Sequence, residues 1–372
     1  MTPTAVLSLD PEVLRFRVNQ TIRDRWIKPA PNIVGYHVAR GEVEKTARTV
    51  LDAMLTRPFR NGKFPGDEDY EWQLRRVRYW VRRGRPIRIN LGYAPMKNLN
   101  AARASHADWA EFFALCHLCA WHNKAQTLYP PGLKIKIVFD DAAVGMANRP
   151  ERRHMDTYIA SVGRLVEALG YNSFIRGTGR HSSFAWAFHL LPFPIARLHL
   201  RAWEASPAHK AIIERMDSFA RRNLVLPGGL SITEQHRLCR EASRRYRLYW
   251  EAFLVALWLQ RVTFCAHSLV AMYLDGSQHH IRLKGALHLT TLGKGHIVQP
   301  WQGEGALSDN GHGQLVPCVL TRERAGMAKT EVGGLDVVEL DGFDRIAVAG
   351  ANTGAAGSPT EAPANVDQTH CA

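Results

Sequence analysis

PIRINLGYAPMKNLN (86–100), ADWAEFFALCHLCAWHNKAQTLYPPG (107–132) and LKIKIVFDD (133–141) decide the fold. Two short apolar runs, Ile87–Leu91 and Leu133–Phe139, read as strands. Between them a helix starts near Asp108 and stops before Tyr129, Pro130, Pro131 and Gly132, a cluster no helix continues through. Strand, helix, strand is a crossover unit, so the strands should run parallel and lie side by side or nearly so. In open α/β sheets ligands bind beyond the carboxyl ends of the strands. The first strand runs into Lys97 and Asn100, the second into Asp140 and Asp141, so these four should share one edge of one sheet.

Working outward, the 372 residues suffice for two domains, or for one large α/β domain with additions. An irregular N-terminal arm is expected over residues 1–40, where Pro29 and Pro31 break any helix. Val43, Ala47, Val50, Leu51 and Met54 fall on one face of a helix between Gly41 and Thr56. A second helix is expected from a cap at Asp67 to Arg83, stopped by Gly84, with Trp72, Val77, Trp80 and Val81 buried. A third runs from Arg152 to Leu169. Ile175–Ser183 (IRGTGRHSS) reads as a polar loop. Helices follow at Pro207–Arg222 and from Thr233 to about Tyr273, the latter too long to be a single unbroken element.

From His279 onward the texture changes to short strand-like runs: IRLKGALHL, GHIVQPW, GQLVPCVL, LDVVEL and RIAVAG. The expectation is thus α/β: a Rossmann-like parallel-sheet core over about 84–175, a helical section over about 205–275 and a β-rich part over about 279–348. Together these make one domain spanning 41–348. The tail 349–372, rich in Ala, Gly, Thr, Pro and Asn, is expected to be disordered.

The net charge is +14, and the arginines come in runs: Arg75, Arg76, Arg78, Arg82, Arg83, Arg85, Arg88, and again Arg237, Arg240, Arg244, Arg245, Arg247. Such a balance suits an anionic partner, a phosphate ester or a nucleic acid, or else marks solvated helix faces. The six cysteines are scattered and form no disulfide framework, which suggests a reducing compartment. No secretory leader opens the chain, and the apolar stretch at Ala252–Trp258 is too short to span a bilayer. The expected location is the cytoplasm. Cys116 and Cys119 share a helix face, but no second ligand pair lies at zinc spacing, so they read as core residues and no metal is expected.

The segment 86–141 resembles the isocyanide (isonitrile) synthases, also described as pyoverdine/dityrosine biosynthesis proteins. Pro95, Lys97 and Asn100 match that family's Phe-Pro-x-Lys-x-x-Asn loop, with Ala94 in place of Phe. Asp108 and Glu111 match its Pro-Asp-x-x-Glu helix start, with Ala107 for Pro. Tyr129, Pro131 and Gly132 match its Tyr-x-Pro-Gly turn, and Asp140 the Asp of its Ser-Asp-Gly, flanked here by Phe139 and Asp141. Further on the likeness loosens. Arg282 and Leu283 fit the Arg-Leu-Ser-Ile-His strand, His288 lies two positions late, Lys294 suits the family Lys, and Pro300 and Trp301 precede Gln302 where the family has His.

The resemblance implies an enzyme that joins the amine of an amino acid to C2 of ribulose 5-phosphate and fragments the sugar to leave an isonitrile. Its substrates would be an amino acid and a sugar phosphate, with no cofactor, nucleic acid or membrane involved. Lys97, Asp140 and His288 would be catalytic; Asn100, Asp108, Glu111, Arg282 and Lys294 would bind substrate. Residue chemistry leaves other roles open. Asp108 and Glu111 have the spacing of a helix capping box. Lys97 could polarise a carbonyl, hold phosphate or form an imine. Gln302 cannot carry a proton. Two rival expectations therefore stand beside the enzyme: a basic nucleic-acid-binding protein, and a homologue with altered or no catalysis.

Overall fold

The structure, a computed structural model, describes residues 26–33, 35–56, 66–99, 105–148, 150–180, 192–210, 228–260, 269–271, 300–302, 304–309, 315–320 and 347–349, with single residues such as Asp217 between them. It is a mixed α/β fold with a parallel sheet. Helix α1 (Val43–Met54) turns Val43, Ala47, Val50, Leu51 and Met54 inward, and α2 (Asp67–Val81) buries Leu74, Val77, Trp80 and Val81. Trp72 is only half-buried, and Gly66 rather than Asp67 caps α2. Gly84, at φ +59°, turns the chain into the sheet.

Strand β1 (Ile87–Tyr93), helix α3 (Trp109–Gln126) and strand β2 (Leu133–Phe139) form the expected crossover. β1 and β2 are parallel neighbours, Ile87 opposite Leu133 through Tyr93 opposite Phe139. Helices α4 (Asp141–Asn148) and α5 (Arg152–Ala168) follow, and then β3 (Ile175–Arg180) pairs parallel with β2. The expected polar loop at 175–183 is therefore corrected over its first six residues: they are the third strand of the sheet. His181–Ser183 lie outside the described residues.

Helix α6 (Pro192–Ala205) holds both of its prolines in its first turn, where a missing N–H costs nothing. It packs on the long helix α7 (Ile232–Gln260), as does α4. The expected helix at Pro207–Arg222 is described only in part, beginning as a 3₁₀ turn over Pro207–His209. The expected helical stretch 233–273 does break: α7 ends at Gln260, and β4 (Leu269–Ala271) joins the core sheet beside β1. The sheet order is β3-β2-β1-β4, all parallel.

A 3₁₀ turn at Pro300–Gln302 leads into a second sheet of β5 (Glu304–Asp309), β6 (Leu315–Leu320) and β7 (Ala347–Ala349), ordered β6-β5-β7. β5 and β6 are antiparallel; β5 and β7 are parallel. Pro317 sits in the edge strand β6, where its missing N–H can face outward. Of the expected β-rich runs, IRLKGALHL and LDVVEL lie outside the described residues, and GHIVQPW ends in the 3₁₀ turn. The tail 350–372 also lies outside them.

Candidate active site

At the carboxyl ends of β1 and β2 the chain makes two different acidic arrangements. The first is centred on Asp140. Its N–H donates to Tyr93 O (3.0 Å), tying the exit of β2 to the exit of β1. Its carbonyl accepts from Val144 N (3.0 Å), so it also opens α4. Oδ1 of Asp140 is buried and has no hydrogen-bond partner among the described residues. Burial pushes this carboxyl up, its own backbone N–H offsets part of that, and Asp141 beside it adds to the rise, leaving it at about 7. An acid with that value is half ionised at neutral pH and can both take and give a proton. Tyr249 of α7 borders the pair: its hydroxyl is held well above its usual value by burial and then by Asp140 and Asp141. Asp141 is buried at the start of α4.

The second arrangement is centred on Lys97, which is fully buried. Its Nζ lies 2.8 Å from Glu111 Oε2 and 3.0 Å from Asp108 Oδ2, and donates to Pro300 O at 2.7 Å. Burial alone would lower its ammonium; the two carboxylates outweigh that and raise it. Asp108 is itself held well above its ordinary value, by burial first and by Glu111, against the pull of Lys97. The same two acids cap α3. Asp108 Oδ1 accepts from Ala110 N (2.8 Å), and Glu111 Oε2 accepts from Asp108 N (2.8 Å). Tyr158 of α5 donates to Glu111 Oε1 (2.7 Å). The capping-box reading and the clustering of the motif acids around Lys97 thus hold together.

Of the eight residues expected to act, the structure gathers Lys97, Asp108 and Glu111 into one cluster and puts Asp140 at the neighbouring strand exit. Asn100, Arg282, His288 and Lys294 lie outside the described residues. Gln302 stands in the turn that Lys97 holds. Arg180, at the end of β3, is paired with Asp156 (2.5 Å). Tyr249 and Tyr158 were not foreseen: one lies in a long Arg-rich helical run, the other on an ordinary amphipathic helix, and neither has a spacing that marks it.

Cys116 and Cys119 are both buried in α3, and burial lifts their thiols to about 11 and about 12. Tyr171 Oη lies 3.5 Å from Cys116 Sγ. Among the described residues no group of three or more His, Cys, Asp or Glu could hold a metal ion. Nor is any helix among them long and apolar enough to cross a membrane.

No protein-family model matches the chain, and no curated protein matches it. The solved structures do offer a match. The fold is that of PvcA. The crystal structure of the PvcA protein from Pseudomonas aeruginosa aligns with a TM-score of 0.56, covering 80% of this chain and 97% of PvcA at 17% identity. At that identity the likeness to PvcA lies in the path of the backbone, and residue roles follow from the contacts of this chain alone.

Proposed function

We propose that the protein is an isonitrile synthase-like enzyme of specialised metabolism, joining the amine of an amino acid to C2 of ribulose 5-phosphate. The observation that carries this reading is Asp140, a half-buried residue whose carboxyl lies near 7 and whose buried Oδ1 has no partner among the described residues, at the carboxyl edge of a parallel sheet. Support comes from the ordered motifs of segment 86–141, which resemble those of the isonitrile synthases, and from the fold shared with PvcA.

In this proposal Asp140 accepts a proton from the substrate ammonium, freeing the amine to attack the ketose carbonyl. It returns the proton as the carbonyl oxygen leaves as water. Burial first, and then Asp141, raise its proton affinity. The basic balance of the chain suits a sugar phosphate. The proposed substrates are small molecules only.

The Arg runs favour nucleic acid less than their number suggests. Arg76, Arg83 and Arg88 stack on Trp72, Tyr79 and Trp80, and Arg78 pairs with Glu44. Arg247 is buried against Glu204 and Asp217. The test is turnover of ribulose 5-phosphate with each amino acid in turn, read by product mass. Wild type should give an isonitrile with one amino acid, and Asp140→Asn should lose at least about 100-fold. Equal turnover by the two proteins would remove Asp140 from the reaction.

A further inference from the structure

A lysine that forms an imine must spend time neutral and must be reachable by the carbonyl. Lys97 meets neither condition: it is fully buried, and its ammonium faces two carboxylates and a backbone carbonyl within 3.0 Å. The carbonyl is the telling partner, because Pro300 lies 203 residues away in sequence. The next residue repeats the join from the other side, with Asn98 N donating to Trp301 O at 2.7 Å. The Trp301 ring then stands 4.7 Å from that of Tyr93, edge-on at 63°. Tyr93 is the last residue of β1, and its carbonyl holds Asp140 N. Four residues beyond Trp301, the backbone of Gly305 comes so close to the start of α3 that a Cβ there would stand 2.1 Å from Ala110 N and 2.8 Å from Asp108 Oδ1.

We propose that Lys97 is a positioning residue, the pin that closes the Pro300–Gln302 turn over the carboxyl edge of the core sheet, with Gly305 docked on α3. Asp108 and Glu111 make the buried charge tolerable and are themselves fixed by capping α3, so the pin is anchored to the helix that starts the site. The closure seats Trp301 on Tyr93, whose carbonyl holds Asp140 N at the exit of β2. What the closure does for turnover rests on the proposed reaction; the closure itself does not.

The test is reductive methylation of the native protein with formaldehyde and cyanoborohydride, read lysine by lysine by peptide mass. Lys45, 80% exposed, is the internal reference. Lys97 should react at least about 100-fold more slowly than Lys45, as for a group reached only through local opening. In Gly305→Ala, where the added methyl forces Gly305 and the Pro300–Gln302 turn off α3, Lys97 should gain about 10-fold in rate while amide exchange in 133–139 stays slow. If Gly305→Ala does not fold, Trp301→Ala opens the same joint by removing the ring on Tyr93. Methylation of Lys97 at the Lys45 rate in wild type would overturn the proposal. So would an unchanged Lys97 rate in a folded variant. With the proposed substrates, Gly305→Ala should raise KM more than it lowers kcat, since the proposed proton carrier Asp140 is left in place. Absence of turnover in wild type would sink the reaction and leave the labelling result standing.

Discussion

Asp140, half-buried with its Oδ1 inside, and His122, fully buried, have stability effects that run in opposite directions with pH. Asp140 has a folded value of about 7, above the roughly 3.9 of an unfolded Asp, so its ionisation costs stability. The cost is absent below about pH 4, grows to about pH 7 and is complete above it. Asp140→Asn should therefore raise Tm at pH 8 more than at pH 4 while lowering turnover at least about 100-fold; a fall in Tm at pH 8 would contradict the burial argument. His122 accepts the Leu133 N–H at Nδ1 (3.2 Å), places Nε2 3.5 Å from Ala30 O and stacks on Phe174. Burial lowers its value, with Lys134 adding to the drop. The stability it contributes is full above about pH 6.5 and is lost as pH falls below. His122→Asn keeps an acceptor near Nδ1 and should flatten that acid-side loss, seen as Tm against pH between 5 and 7. An unchanged slope would place the acid sensitivity elsewhere. Among single residues, Asp108 and Glu111 were legible as a capping box from spacing alone. The burial of Lys97 was not, because its decisive partner lies across 203 residues of chain.

Helix α3 is the element on which the fold turns. It is apolar on nearly every side because it is covered on nearly every side. Trp109, Phe112, Leu115 and Trp121 are all buried, and α3 contacts β2, β5, α1 and α5. A solvent-facing stripe is what periodicity reads, so a helix without one declares its burial but not what covers it. Trp109 stacks on Phe113 and meets Phe112 edge-on. Trp109→Ala should cost about 3–5 kcal/mol in denaturant unfolding; a loss under about 1 kcal/mol would mean that this end of the helix is not core. The crossover β1–α3–β2 was legible because strand and helix each end on unambiguous turn residues. β3 was not, since Gly177 and Gly179 depress strand propensity. Gly177 takes φ +89°, a backbone conformation that side-chain-bearing residues rarely adopt, while a Cβ at Gly179 would only have to displace the end of the Lys136 side chain. β4 was hidden inside a long apolar run, where a buried strand and a buried helix look alike.

At the scale of the whole molecule, distant parts of the chain return to α3. Near its carboxyl end, Ala30 N donates to Asn123 Oδ1, Asn123 Nδ2 to Lys28 O and Gln126 Nε2 to Pro31 O. At its amino end the Pro300–Gln302 turn docks through Lys97, and Gly305 docks directly. The expected irregular arm is thus, over 26–33, a strap pinned to the core. The charge is local as well as global: with several arginines stacked on rings or paired, duplex DNA should bind only weakly, with the steep salt dependence of non-specific contact. Tight, salt-insensitive binding in a titration would reverse the order of the two readings. The central claim is the carbon–nitrogen bond-forming reaction, and carbon labelling tests it most directly. Protein is incubated with ribulose 5-phosphate carrying ¹³C at C2 and with each amino acid, and the product is followed by mass and carbon NMR. The account predicts one product whose isonitrile carbon carries the label; folded protein that binds neither substrate, or a product with the label elsewhere, would contradict it.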